Sequence, residues 1–474
     1  MHRRHLLALL LVAAGLALTA APDPALAHGL VGREDLPIPK WLFGWAATVV
    51  LVVSFVGLAV LWPKPRLEQA PERRIAGLPA VLDPLAGAIG VALFAFVVYT
   101  GFAGDQTATN NPAPTFIFVL FWIGLAVVSP LLGDVFKALN PWRAIARAVA
   151  WVAGRASRDG LPSPMEYPAK LGRWPAVVGI LAFAWLELAY SGRDDPSRLA
   201  VFALVYAAAQ FVGMSLYGIE RWNRYGDGFG VYFGFLARIA PLRWARDGLH
   251  VRRPLAGLTG VDIVPGTVAL ACVIIGTTSF DGFTGGEAWS TIGGGLVDFW
   301  GSIGFGQGTA LELALTVGLI AGVLIVAGLY RLGVLGMQSV DPANPMSTSE
   351  LGGRFAHSLI PIGLAYVIAH YFSLLAYDGQ RAAYLASDPL GNGANIFGTS
   401  SVTVDYTWIS ATGIWYVQVA ALVIGHVAGL VLAHDRALLT FGDGRTATRS
   451  QYWMLAVMIA FTSLGLWLLS AANS

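Results

Sequence analysis

The stretch 309–330, TALELALTVGLIAGVLIVAGLY, contains one charged residue, Glu312, close to its start. An α-helix needs about 20 predominantly apolar residues to cross the hydrocarbon core of a bilayer, so this stretch predicts a transmembrane helix. The whole chain of 474 residues is 56% hydrophobic and only 12% charged, whereas soluble domains carry about 25% charged residues. This composition excludes a disordered chain, a nucleic-acid-binding protein and an ordinary cytosolic enzyme.

Nine further stretches have a similar length and apolar character, and several of them end in Trp or Tyr, which favour the membrane interface. They are residues 41–62, 84–104, 114–136, 174–190, 199–218, 261–280, 355–377, 412–433 and 452–470. The sequence therefore predicts an all-α polytopic transmembrane bundle of about ten spans.

The first 27 residues have the pattern of a cleaved signal peptide. A basic start around Arg3 and Arg4 precedes an apolar segment, and Ala25-Leu26-Ala27 is a small-x-small cleavage site. Cleavage would make His28 the mature N-terminus and leave 28–474 as one membrane domain. The alternative is an uncleaved first helix.

The distribution of Lys and Arg predicts the orientation. One set of alternate loops holds 23 of these residues and the other set holds five. By the positive-inside rule the richer set, which includes 137–173 and 219–258, is cytoplasmic. Both mature termini are then predicted outside the plasma membrane, in agreement with a cleaved signal peptide.

Some of the loops are expected to have structure of their own. Residues 140–155 and 229–245 carry apolar residues at helical spacing with arginines on another face, which predicts interfacial helices on the cytoplasmic leaflet. For 229–245 the alternative is a re-entrant segment. Two long outer loops, 281–307 and 378–411, are predicted to form a cap.

Ionisable residues within spans are costly in lipid and are therefore candidates for function. Glu187 and His370 lie in the outer halves of their predicted spans, about 7 Å and 6 Å from the midplane at 1.5 Å per residue. Asp281 follows the outer end of another span. These three residues are the candidate catalytic groups; the alternatives are an interfacial carboxyl for Glu187 and a structural interhelical histidine for His370.

A free N-terminal His28 could chelate a transition metal through its amine and imidazole, so His28, His370 and Glu187 are the candidate ligands for copper or zinc. The remaining histidines of the predicted membrane domain are most simply structural or interfacial, although a polar relay between His370 and His426 stays open. Cys272 is the only cysteine, which excludes an intrachain disulfide and a thiolate metal cluster. No familiar nucleotide-binding or hydrolase motif stands in a suitable context.

Several phrases of the sequence together resemble bacterial membrane proteins of the fenitrothion hydrolase type. The phrases are 28–39 with 41–43, 140–145, 227–234, 277–283, 369–373, 425–429 and 433–437. The resemblance covers nearly the whole chain and implies hydrolysis of a phosphotriester with release of a nitrophenol. Such hydrolysis usually requires a metal-activated water.

The leading functional prediction is therefore a membrane-embedded, metal-assisted hydrolase component, with the lipid bilayer as its environment and a second membrane subunit as a candidate partner. The alternative is a transporter or permease for a small solute or metal ion, in which the same polar groups would contact substrate or protons. A third class is a non-catalytic membrane partner in metal handling.

Overall fold

The computed structural model describes residues 40–68, 70–156, 162–245, 247–341 and 345–471, which are mostly helical. The predicted signal peptide 1–27 and the candidate ligand His28 lie outside the described residues. The main helices are α1 (Lys40–Leu61), α2 (Leu82–Ala103), α3 (Pro112–Leu132), α4 (Val135–Leu139), α5 (Pro141–Ala156), α6 (Trp174–Leu188), α7 (Pro196–Tyr217), α8 (Ile219–Tyr225), α9 (Gly228–Ala237), α10 (Thr267–Thr284), α11 (Glu287–Ser302), α12 (Gln307–Gln338), α13 (Thr348–Phe355), α14 (Leu359–Asp378), α15 (Ala382–Ser387), α16 (Ala411–Phe441) and α17 (Gly444–Ala471).

Seven helical segments of the described chain are long and apolar enough to cross a membrane. They are α2, α3, α7, α10, α12, the run Thr348–Ser387 that contains α14, and α16. Three shorter apolar helices, Trp45–Leu61, Trp174–Leu188 and Gly228–Ala237, accompany them. The prediction of an all-α helical bundle is confirmed, and these segments are its candidate membrane spans. Each of the ten predicted stretches overlaps a long helix, but the count of ten spans stays a prediction.

A small antiparallel sheet, absent from the sequence-based prediction, marks one end of the bundle. Its strands are β1 (Arg73–Ala76), β2 (Leu242–Ala245) and β3 (Gly248–Val251), in the order β1-β3-β2. We call this the sheet end. The segment 378–411 lies at the opposite end, the cap end, where the Asp105 amide donates to the Leu390 carbonyl at 3.0 Å.

Two predicted surface segments have a different structure. Helix α9 occupies the first part of 229–245, and its aromatic and aliphatic side chains are buried in the bundle, so it is not an interfacial helix. The re-entrant alternative for this segment stays a prediction. Residues 281–307 are not a loop, because α10 continues to Thr284 and α11 fills most of the remainder. By contrast, a helix does occupy 141–156, and the Asn140 side chain caps it by accepting from the Arg143 amide at 2.9 Å.

Close packing of α14 against α16 depends on two glycines. A Cβ atom at Gly425 would lie 2.3 Å from the Ala365 Cβ and 2.7 Å from the Pro361 carbonyl oxygen. A Cβ atom at Gly429 would lie 2.9 Å from the Ser358 carbonyl oxygen. The Gly-xxx-Gly spacing places both on one face of α16, which allows the two backbones to approach closely.

Gly425→Ala is therefore expected to lower the melting temperature of the protein in detergent, because the added methyl group meets backbone that cannot move aside. Overpacking of this kind costs about 1–3 kcal/mol. Gly328→Ala, in α12, is the matched control, since no described atom beyond its own helical turn lies within 4 Å of the position that the added methyl group would take. Helix propensity predicts unchanged or slightly raised stability for that control. Equal melting temperatures for the two variants would contradict the packing argument.

Candidate functional site

Asp281 lies in the last turn of α10, two residues after a run of three hydroxyl residues whose side chains form hydrogen bonds within the same helix. Thr277, Thr278 and Ser279 donate to the carbonyls of Val273, Ile274 and Ile275 at 2.8, 3.1 and 2.7 Å. Hydroxyls that bond back in this way allow polar residues to occupy a buried helix. The Asp281 carboxylate, in contrast, turns to a neighbouring helix for its partners.

Those partners are two consecutive residues of α14. His370 Nε2 lies 2.8 Å from Asp281 Oδ2, and the Tyr371 hydroxyl donates to the same oxygen at 2.7 Å. Consecutive residues of an α-helix differ by about 100° in direction, so the carboxylate is held between the two side chains. The side chains of His370 and Asp281 are 25% and 22% exposed, whereas Tyr371 is buried. The pair is therefore fixed in place and still accessible.

Glu187, in the final turn of α6, lies beside this pair. Its carboxyl group interacts electrostatically with Asp281 and Tyr371 but forms no hydrogen bond with a described side chain or amide. Arg193 follows in the next loop and donates to the Glu187 backbone carbonyl at 2.9 Å. The structure thus brings together all three sequence-predicted candidate catalytic residues, on α6, α10 and α14, while their catalytic role stays a prediction.

Two residues that sequence reasoning missed border this cluster. The rings of Tyr232 (α9) and Trp122 (α3) are stacked with centroids 4.5 Å apart, and Tyr232 interacts electrostatically with Glu187. Both residues are buried, and neither the Tyr232 hydroxyl nor the Trp122 Nε1 has a hydrogen-bond partner in the described part of the chain. Buried donors of this kind are normally satisfied by water.

The local backbone of α3 is unusual at the same place. Residues Thr115–Gly124 form a π-helix of 10 residues, with Trp122 near its end. Asn111 starts the helix by accepting from the Ala113 amide at 2.9 Å. π-Helical segments are rare and occur frequently at functional sites. Nothing in the sequence pattern distinguishes them from an α-helix, because both bury apolar residues at similar spacing.

A metal site requires several ligand side chains that lie close together. Among the described residues, no group of three or more His, Cys, Asp or Glu side chains has an arrangement that could hold a metal ion. The other candidate histidines have separate surroundings: His426 Nδ1 pairs with the Leu422 carbonyl of its own helix at 2.7 Å, and His434 Nε2 lies 3.1 Å from the Trp62 carbonyl. The predicted metal site of His28, His370 and Glu187 stays a prediction, because His28 lies outside the described residues. No hydrogen bond joins His370 to His426.

The buried Asp227 carboxylate links residues 140–145 to 227–234, two of the stretches quoted for the family resemblance. Asp227 accepts hydrogen bonds from Asn140 Nδ2 at 2.9 Å, Trp142 Nε1 at 2.8 Å and the Tyr206 hydroxyl at 2.8 Å. Burial raises the pKa of the Asp227 carboxyl, although these hydrogen bonds oppose the shift. Because its acceptor positions are used by structural donors, Asp227 fixes α5, α7 and α9 to one another near the sheet end.

Comparison of the chain with family models, with curated proteins and with solved structures yields no match. The resemblance to fenitrothion hydrolases therefore remains an expectation from sequence phrases. The structure explains two of these phrases through one contact, since 277–283 and 369–373 meet in the Asp281–His370 pair.

Proposed function

We propose that this chain is a plasma-membrane protein of ten spans that transports a small solute, and that Glu187, Asp281 and His370 exchange the protons that drive it. One observation carries the proposal: Asp281 is hydrogen-bonded to His370 and Tyr371, while the neighbouring Glu187 carboxyl has no hydrogen-bond partner among the described residues. Ionisable groups at membrane depth are expensive, and chains of Asp, Glu and His are typical of proton relays in transporters.

The chemistry of the cluster suits reversible protonation. Two carboxylates in one low-dielectric interior repel each other, and protonation of either one relieves that repulsion. His370 can hold a further proton against Asp281, at the 2.8 Å Nε2–Oδ2 contact. Binding or release of a cation or proton at Glu187 then changes the charge of the whole cluster. The adjoining π-helical segment of α3, which contains Trp122, could rearrange when the charge of the cluster changes.

A hydrolase is the second candidate, favoured by the His370–Asp281 contact. A histidine oriented by a carboxylate is the usual arrangement of a general base, and His370 Nδ1 forms no hydrogen bond with the described residues. In this version His370 would take a proton from the attacking water while Asp281 stabilises the imidazolium. The three carboxyl and imidazole side chains do not form a metal site, so we derive no step through a metal ion.

Reconstituted protein distinguishes the two candidates. Proteoliposomes that enclose a pH-sensitive dye are exposed to a panel of organic cations, amines and organic anions, and the same protein in detergent is given a nitrophenyl phosphotriester. Transport predicts a pH change that depends on one class of solute and on the protein. Release of nitrophenol without any solute-dependent pH change would instead establish the hydrolase.

The proposed orientation puts the sheet end in the cytoplasm and the cap end, with both mature termini, outside. Ser163, between α5 and α6, and Ser400 are both exposed, and Cys272 is buried, so single cysteines at the two serines report accessibility against little background. In intact cells, Ser400→Cys is expected to react with an impermeant maleimide and Ser163→Cys to react only after permeabilisation. The reverse pattern would invert the orientation.

A further inference from the structure

A large apolar cavity lies among α2, α3, α6 and α7, apart from the carboxyl cluster. Its volume is about 610 Å³, which is within the range of ligand sites in proteins. The π-helical part of α3 contributes Phe116, Ile117, Leu120 and Phe121 to one wall. Phe183 of α6 also lines it and contacts Trp122 with ring centroids 4.9 Å apart.

Among the described residues, no unpaired polar side-chain group faces this cavity. Trp142, Trp185 and Tyr206 are the only described lining residues with polar side-chain atoms. Trp142 Nε1 and the Tyr206 hydroxyl donate to Asp227, and Trp185 Nε1 donates to Thr316 Oγ1 at 2.8 Å. A cavity without free donors or acceptors does not hold ordered water and favours an apolar occupant.

The cavity also has the position and the length of a lipid chain. Leu93, Phe202 and Val205 on its rim are 38%, 36% and 60% exposed, so it opens on the outer surface of the bundle, between two helices that are apolar enough to span. Its lining extends along α7 from Leu199 to Ala209, about 15 Å at 1.5 Å per residue. That length is half of the roughly 30 Å hydrocarbon core, which is the share of one leaflet.

We propose that this cavity binds one acyl chain of a phospholipid of the leaflet at the cap end, because Leu199, the first lining residue of α7, lies three residues from the cap-end start of that helix. The second acyl chain remains in the bilayer. The inference rests on the proposed membrane placement, but not on proton transport.

A bulky side chain placed inside the cavity should prevent binding of the acyl chain. Ala203 of α7 and Ala182 of α6 line the cavity from different helices, so Ala203→Phe and Ala182→Phe each place a ring inside it. Ala208 of α7 is exposed and does not line the cavity, which makes Ala208→Phe the matched control. Each protein is delipidated in detergent, incubated with dioleoyl phosphatidylglycerol and analysed by native mass spectrometry.

One retained phosphatidylglycerol is expected on the wild type and on Ala208→Phe, with at least about tenfold weaker retention on both cavity variants. Size-exclusion profiles identify any variant that is misfolded, and the second cavity variant then replaces it. Equal retention by all four proteins would overturn the proposal, as would recovery of an apolar non-lipid compound from the protein as isolated. A failed transport assay leaves this test unaffected, because it counts bound lipid.

Discussion

Asp281→Asn is expected to reduce solute-dependent proton movement in proteoliposomes by about 100-fold or more, the lower limit for removal of a positioned acid–base group. The amide keeps the size of the side chain and an oxygen that can accept from the Tyr371 hydroxyl, now 2.7 Å from the carboxylate. It cannot take up a proton or hold a protonated His370. Removal of the imidazole in His370→Ala should give a loss of the same order, because the two groups act as one pair.

The controls separate chemistry from folding. Glu287→Gln removes an exposed carboxyl at the start of α11, outside the cluster, and is expected to leave the rate unchanged. Tyr371→Phe removes one hydrogen bond but keeps the carboxylate and the imidazole, so the loss should be smaller than the loss in Asp281→Asn, because both groups that exchange protons remain. If the correctly inserted Asp281→Asn protein moved protons at the wild-type rate, the proposed role of the cluster would be contradicted.

Glu187, Asp281 and His370 show how far the sequence could predict the site. The positions of Glu187 and His370 within their apolar stretches predicted a similar distance of both residues from the membrane midplane, because the helical rise converts residue number into distance along the membrane normal. The contact between Asp281 and His370, which are 89 positions apart, could not be predicted, because a single sequence does not show which helices are neighbours. Trp122 and Tyr232 were missed because aromatic residues in apolar stretches are usually core.

The long helices could be predicted because an apolar stretch of sufficient length is enough to indicate one. Glycine-rich and aromatic segments could not be assigned in the same way, because their sequences are compatible with a loop, a surface helix or a buried helix. Residues 281–307 contain Gly293, Gly294 and Gly295 and were predicted as a loop, yet they lie within α11, where packing against α12 overrides the low helix propensity of glycine. Helix α9 was predicted at the membrane surface because arginines follow it. Its aromatic side chains contact those of α3 and α6 instead, and the arginines lie beyond its end.

Asp435→Ala is expected to cause the largest loss of stability among simple substitutions of this chain. The side chain is fully buried near the sheet end of α16, and it accepts four hydrogen bonds from the segment between α1 and β1. Trp62 Nε1 and the amides of Arg66, Leu67 and Glu68 are the donors, at 2.8, 2.6, 3.0 and 3.0 Å. Removing one partner of such a buried network costs about 3–5 kcal/mol, because the other groups stay buried and unpaired.

The expected measurement is a large fall in the melting temperature of the Asp435→Ala protein in detergent, with new proteolytic cleavage between residues 62 and 70. Asp443→Ala is the comparison: Asp443 is an exposed carboxylate that accepts from the Thr446 amide at the start of α17, so its loss should matter much less. Asp435→Asn keeps one accepting oxygen and should fall between the two. If Asp435→Ala were no less stable than Asp443→Ala, the 62–68 segment would be held by other contacts, foremost the ion pair of Glu68 with Arg436. The order of the three variants therefore measures how much of the attachment of α1 to the rest of the bundle depends on one carboxylate.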